Sequence, residues 1–242
     1  MTRITYGVAR LGVLVPSGNN VAETELRAML PDSVTMLSTR LALRGSSEAE
    51  LLAMLADLEG AARLLGDAEP DAIAFHCTAV STFAPHLAGE IRDRITAATG
   101  RPALATADAI LAAFRVLNTR RVLLVTPYIE PVHQREIAFL SAHGLTMTGG
   151  SWLGIDTNTE MAHITPDAIA AQARAAASDV SADACFVSCT AIRSAGLIQD
   201  LEASLGMPVI TSNQVLAWYA LRRLGVEQPV TGFGRLFREA GP

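Results

Sequence analysis

One stretch of this chain is written twice, and that repeat limits the folds open to it. DAIAFHCTAVS (71–81) returns as DACFVSCTAIRS (183–194), which sets Cys77 and Cys189 112 residues apart. The following segment, RPALATADAILAAFRVL (101–117), returns as MPVITSNQVLAWYALRRL (207–224), with Pro102 and Pro208 106 residues apart. A weaker echo pairs LGVLVPSGN (11–19) with RVLLVTPYI (121–129), two apolar runs that each end in a Pro-containing turn. Matches in the same order and nearly the same register mean two like halves.

Between the apolar runs lie helix-like stretches, SEAELLAMLADLEGAARLLG (47–66), TPDAIAAQARAAASD (165–179) and IQDLEASLG (198–206), with Ser, Thr or Asp near their starts. Alternating helices and nearly continuous apolar strands indicate parallel sheet. The expected fold is α/β, with two Rossmann-like parallel-sheet lobes related by a pseudo-two-fold axis. Residues 1–101 plus 209–242 would form the first lobe and 102–208 the second. In such sheets ligands bind at the carboxyl ends of the strands, so equivalent ends of the two lobes converge on one cleft, and Cys77 and Cys189 occupy those ends.

Composition narrows the chemistry. With half of 242 residues hydrophobic and 18% charged, the chain is globular, and no apolar run reaches the length of a membrane span. The N-terminus has no separate apolar segment followed by a small-residue cleavage site, so a soluble, cytoplasmic protein is expected. A net charge of −5 without recurring Lys/Arg clusters speaks against nucleic acid and membrane partners and for a small-molecule substrate. Three cysteines with no CxxC pair fit neither a disulfide framework nor a zinc site. No GxGxxG or GxxxxGK[ST] motif occurs and the five histidines are scattered, so no cofactor and no metal are expected.

Cys185 reads as a core residue, because free cysteine packs as a small hydrophobe. Cys77 and Cys189 read differently, since each precedes Thr-Ala and then an apparent helix start, where backbone N–H groups and the helix dipole lower a thiol pKa and hold a carboxylate. Asn19 or Asn20 in PSGNN can offer an amide to a carboxylate or can serve turn geometry alone. Tyr128 stands in the corresponding turn of the second half, as an anion donor or as a packing residue. Asn158 can reach the cleft from a loop. His76 is expected to be structural, because neighbouring strand residues point to opposite faces. Trp152, Phe83 and Trp218 are left to the core.

With these residues in view, the sequence resembles the maleate cis-trans isomerase group of the aspartate/glutamate racemase superfamily over nearly its whole length. The resemblance rests on VPSGN in place of VPSSN, the two strand-end cysteines, the PY turn at Tyr128 and the N-x-E of Asn158 and Glu160. It implies a cofactor-independent enzyme, commonly a homodimer, that turns maleate into fumarate through a succinyl thioether. Cys77 would be the nucleophile and Cys189 the proton donor and acceptor. Asn19, Tyr128, Asn158 and the turns Thr78-Ala79 and Thr190-Ala191 would hold the two carboxylates. TPYIEPVHQREIAFL and GFGRLF resemble arylmalonate decarboxylase, which has glycine where Cys77 stands, and SNQVLAW resembles ectoine-utilisation relatives. A two-cysteine racemase, a decarboxylase and a non-catalytic carboxylate-binding protein are therefore the alternatives.

Overall fold

The computed structural model of the protein describes residues 7–240. The first half runs β1 (Ala9–Pro16), α1 (Ala22–Met29), β2 (Val34–Leu41), α2 (Glu48–Ala53), α3 (Leu58–Gly66), β3 (Ala72–Phe75), α4 (Thr78–Ser81), α5 (Leu87–Thr99), β4 (Ala103–Ala105) and α6 (Thr106–Val116). The second runs β5 (Arg121–Tyr128), α7 (Glu130–Ala142), β6 (Thr146–Ile155), α8 (Asn158–His163), α9 (Pro166–Ala176), β7 (Ala184–Val187), α10 (Ile198–Leu205), β8 (Val209–Thr211) and α11 (Ser212–Arg223). Each half builds a four-stranded sheet, ordered β2-β1-β3-β4 and β6-β5-β7-β8, and every strand pair is parallel. The α/β fold with two repeated parallel sheets is thus the one the repeat predicts.

The central strands are covered on both faces, which is why they read as unbroken apolar runs. Leu11, Val13 and Val15 of β1 face a core shared with α6 and α11, whereas Leu14, with Ile73 and Phe75 of β3, faces a second core that reaches Cys77 and Cys189. Helices α6 and α11 pack on each other and join the halves. Among the described residues no helix is long and apolar enough to cross a membrane.

Three details differ from the sequence expectation. The stretch 47–66 is two helices, because residues 54–57 form a turn. Strand β4 pairs with β3 and β8 with β7, so by sheet pairing residues 103–105 go with the first sheet and 209–211 with the second, the reverse of the division at 101/102 and 208/209. Pro102 and Pro208, which mark the repeat, precede these strands, and the halves pack on each other at the helices that follow them, α6 and α11. The weak echo is also one residue out of register: Leu11 pairs with Ala72 where Val122 pairs with Ala184, so Leu11 corresponds to Val122 rather than Arg121.

Before β4 and β8 the chain turns in the same way. Helices α5 and α10 end on Gly100 and Gly206, at φ of 67° and 69°, a left-handed conformation in which a side chain is strained although open space surrounds both positions. Gly206→Ala is therefore expected to lower stability by about 1 kcal/mol through backbone strain alone. Urea denaturation checks this.

Candidate active site

The carboxyl ends of β3 and β7 open on one small, tightly closed cavity of about 10 Å³. Cys77, Thr78 and Ala79 line it from the first half, and Tyr128, Cys189 and Thr190 from the second. Asn158 and Met161 of α8 and the segment Leu43, Gly45, Ser46 close it. That segment is tied across the cavity to the second half, with Ser46 donating to Asp156 Oδ1 through its N–H at 3.0 Å and its hydroxyl at 2.6 Å. Asn158 N–H donates to Arg44 O at 3.1 Å. None of the lining residues carries a charge, so an anionic ligand would be held by neutral donors.

The two thiols stand on different backbones. Cys77 is extended, at φ −149°, and directly precedes α4, whose first N–H groups turn back on its sulfur. Cys189 has φ +140°, a conformation that belongs almost wholly to glycine and costs a residue with a side chain about 1–3 kcal/mol. Its N–H donates to Ser212 Oγ at 3.0 Å, its sulfur accepts from Ala191 N–H at 3.2 Å, and Met161 Sδ lies 3.7 Å away. The helix start expected after Cys189 is absent: residues 190–192 form a turn, and helix resumes only at 195.

The thiols are also not acidified. Burial pushes Cys77 up to about 12, against the pull of Val80 and Ala79 N–H. Burial pushes Cys189 to about 12 as well, and the Ala191 N–H and the Tyr128 phenol offset only part of that. One turn of helix at α4, and none after Cys189, supplies too little dipole to outweigh desolvation. Tyr128 is itself raised well above 10, first by burial and then by the charge of Cys189 and Glu136 nearby.

The sequence-derived residues are distributed as follows. Cys77, Thr78, Ala79, Tyr128, Asn158, Cys189 and Thr190 share the cavity wall. Asn158 opens α8 within a capping box of Thr157 and Glu160, and its Nδ2 is buried with no hydrogen-bond partner. Asn19 lies behind the wall: its Oδ1 accepts from Val21 and Ala22 N–H at 3.0 Å each, and its Nδ2 donates to Thr190 Oγ1 at 3.0 Å. Ala191 also lies behind it, donating to Cys189. Its ring buried and its pKa taken down to about 4 by desolvation, His76 bonds Thr106 Oγ1 at 2.9 Å and Asn213 Oδ1 at 2.8 Å. Cys185 is buried within β7, Trp218 is core, and Trp152 is 42% exposed against His133.

Sequence reasoning missed the residues that join the two cysteine turns. Ser212 Oγ receives both Cys189 N–H and, at 2.8 Å, Thr78 Oγ1 from the other half. Asn213 donates to Glu25 Oε2 at 2.6 Å and to Thr190 O at 3.3 Å. One signal was available, because Thr211 and Gln214 form a capping box that places Ser212 and Asn213 at a helix start directly after a repeated strand.

The family described as arylmalonate decarboxylase matches residues 11–237 of this chain. The sequence is 33% identical to a maleate isomerase of Nocardia farcinica over 245 aligned positions, which cover 96% of this chain and 97% of that one. A cysteine mutant of the Nocardia farcinica maleate cis-trans isomerase with a covalently bound succinylcysteine intermediate superposes with a TM-score of 0.89 at 29% identity, covering 96% and 99% of the two chains. A doubly substituted arylmalonate decarboxylase in liganded form, with one glycine changed to cysteine, gives 0.87 at 27% identity over 95% and 99%.

Proposed function

This chain belongs to the arylmalonate decarboxylase family, and from the two cysteines that share its cavity we propose that it isomerises maleate to fumarate, without a cofactor, through a succinyl thioether on Cys77. The observation that carries this reading is the pair of thiols at equivalent strand ends facing one small, uncharged cavity.

In the proposed reaction Cys77 loses its proton to solvent, and the resulting thiolate forms a C–S bond to one alkene carbon. The π electrons pass to the neighbouring carbon, next to its carboxylate, and the Cys189 thiol delivers a proton there. The central C–C bond is then single and turns freely. Cys189, now the thiolate, takes a proton back, the double bond re-forms, the C–S bond breaks and fumarate leaves. Splitting the reaction this way removes the double-bond barrier to rotation. Thr78 and Thr190, the Asn158 amide and the Tyr128 phenol hold the two carboxylates, the Ala79 and Ala191 N–H groups hold the two sulfurs, and Asn19 fixes Thr190. A homodimer in the cytoplasm is part of the same reading, and sedimentation checks the oligomeric state.

Proton NMR of maleate with the enzyme tests it: fumarate appears, and unchanged maleate sinks the proposal. Decarboxylation is the second reading, supported by the family description, but it needs a single proton donor and leaves Cys77 without work. Carbon dioxide from an arylmalonate, with maleate untouched, would select it. Solvent deuterium entering at an α-carbon without isomerisation would select a racemase.

Asn158 supplies a sharper expectation. Its Nδ2 is already desolvated and unpaired, so Asn158→Ala removes a donor whose only gain comes with ligand. Stability is expected to change little while KM for maleate rises about tenfold or more, the worth of a hydrogen bond to a charged group. Steady-state kinetics beside a thermal melt checks both.

A further inference from the structure

A carboxyl that the proposed chemistry does not use lies against the Cys189 turn. Glu136, on the buried face of α7, is 1% exposed, and both of its oxygens meet one hydroxyl, Ser188 Oγ, at 2.7 and 2.9 Å. Ser188 directly precedes Cys189, and its N–H is held by Val125 O at 2.8 Å. The neighbouring cation, Arg135, is turned onto Phe83 and Glu48 of the first half. A serine hydroxyl has one proton to give, so it can satisfy only one of the two short contacts to a carboxylate. Both are satisfied when the carboxyl is an acid that gives its own proton to Ser188 through one oxygen and accepts through the other.

The opposite end of the turn is gripped by a second carboxyl. Glu25 of α1 accepts from Ser194 N–H at 2.6 Å, Ala195 N–H at 2.8 Å and Asn213 Nδ2 at 2.6 Å. Leu11 and Val122 occupy equivalent places, and Glu25 and Glu136 each lie fourteen residues further along, so the repeat places one buried carboxyl on the first helix of each half. Among the described residues both bond to the segment 188–195 and neither bonds to the Cys77 turn.

We propose that Glu136 is a positioning residue for Cys189: through Ser188 it fixes the strained turn that presents the proton-donating thiol, and it does so as a neutral acid. The inference rests on the isomerase reading. A backbone at φ +140° persists only where its surroundings over-determine it, and here Ser188 is held before Cys189 and Ser212 holds its N–H. The titratable groups facing Glu136 are Tyr128 at the end of β5 and Cys189 after β7. On α7 itself His133 is engaged by Thr126 at 2.9 Å, and β6, packed along the helix, carries no titratable side chain. Burial pushes Glu136 up to about 8 while Tyr128 and both cavity thiols lie higher. Glu136 is thus the group of this site that ionises in mildly alkaline solution, and its charge then opposes thiolate formation at Cys189 beside a dianionic substrate.

The test compares wild type, Glu136→Gln, Glu136→Ala and Ser188→Ala. In wild type kcat/KM for maleate is expected to rise with Cys77 thiolate formation up to pH of about 8 and then to level off, because each further gain in thiolate is offset by the loss of neutral Glu136. Glu136→Gln keeps a neutral partner for Ser188, so its kcat/KM keeps rising through pH of about 8 without levelling off, and its kcat exceeds that of Glu136→Ala at least about tenfold, the scale of a misplaced catalytic group. Ser188→Ala follows Glu136→Ala, with kcat lowered more than KM is changed. The same levelling in Glu136→Gln, or wild-type kcat in Glu136→Ala, overturns the proposal. Melting temperature gives an independent reading: a carboxyl raised from 4.5 to about 8 on folding contributes stability that is full below 4.5 and lost as pH rises through 8. The advantage of Glu136→Gln over wild type should therefore widen between pH 5 and 8, and a constant gap overturns the neutral-acid assignment. Wild type that leaves maleate unchanged removes the isomerase reading, while the melting comparison still decides the state of Glu136.

Discussion

Cys77→Ala is expected to abolish conversion of maleate to fumarate, with kcat reduced on the order of 10⁴-fold or more, because the only bond that converts the alkene into a freely turning single bond is the one this sulfur makes. The fold should survive. Cys77 is 3% exposed, and its sulfur is held by backbone N–H groups of α4 that belong to the helix in any case. Removing one buried sulfur costs about 1–2 kcal/mol, far less than the loss in rate. Proton NMR over hours, with circular dichroism as the control for folding, reads both. Substantial residual turnover would mean that carbon–sulfur addition at Cys77 is not the route.

Cys189→Ser carries the second large effect, of a different kind. Addition at Cys77 can still occur, but the thiol that delivers the proton and its thiolate that later removes it are replaced by a hydroxyl, a much weaker acid. Breakdown of the adduct slows more than its formation, so enzyme incubated with maleate should accumulate a covalent adduct of one maleate per chain. Intact-protein mass spectrometry shows the adduct, and peptide mapping places it on Cys77. Serine suits the site because it keeps the Cβ on the strained backbone and the contact to Ala191 N–H. Cys185, buried within β7, provides an internal control that should stay unmodified. An adduct on Cys189 in a Cys77→Ser variant, with none on Cys77 in Cys189→Ser, would exchange the two roles.

The fold class and the meeting of the two cysteines were legible in the sequence for a physical reason. Parallel strands covered on both faces must be continuous apolar runs, as AIAF and ACFV are, and a repeat of such runs followed by the same turn implies the same strand end twice. Local chemistry also marked the starts of helices, as at Ser47 before Glu48 and at Thr165 before Pro166. These signals are local, so a linear reading recovers them. The same locality misled where spacing stood in for geometry, as in the helix expected after Cys189 and in the single helix over 47–66.

What only the tertiary structure decided is how the two thiols differ. Cys77 and Cys189 sit in near-identical words, CTAV and CTAI, yet one is extended and the other is held at φ +140°. The cause lies in partners distant along the chain: Ser212 bridging Cys189 to Thr78, Glu136 under Ser188, and Glu25 at Ser194. In sequence each is an ordinary helix residue. Burial makes them consequential, because a carboxyl or hydroxyl removed from water must find its partner inside, and in this fold the partners found are the two ends of the Cys189 turn.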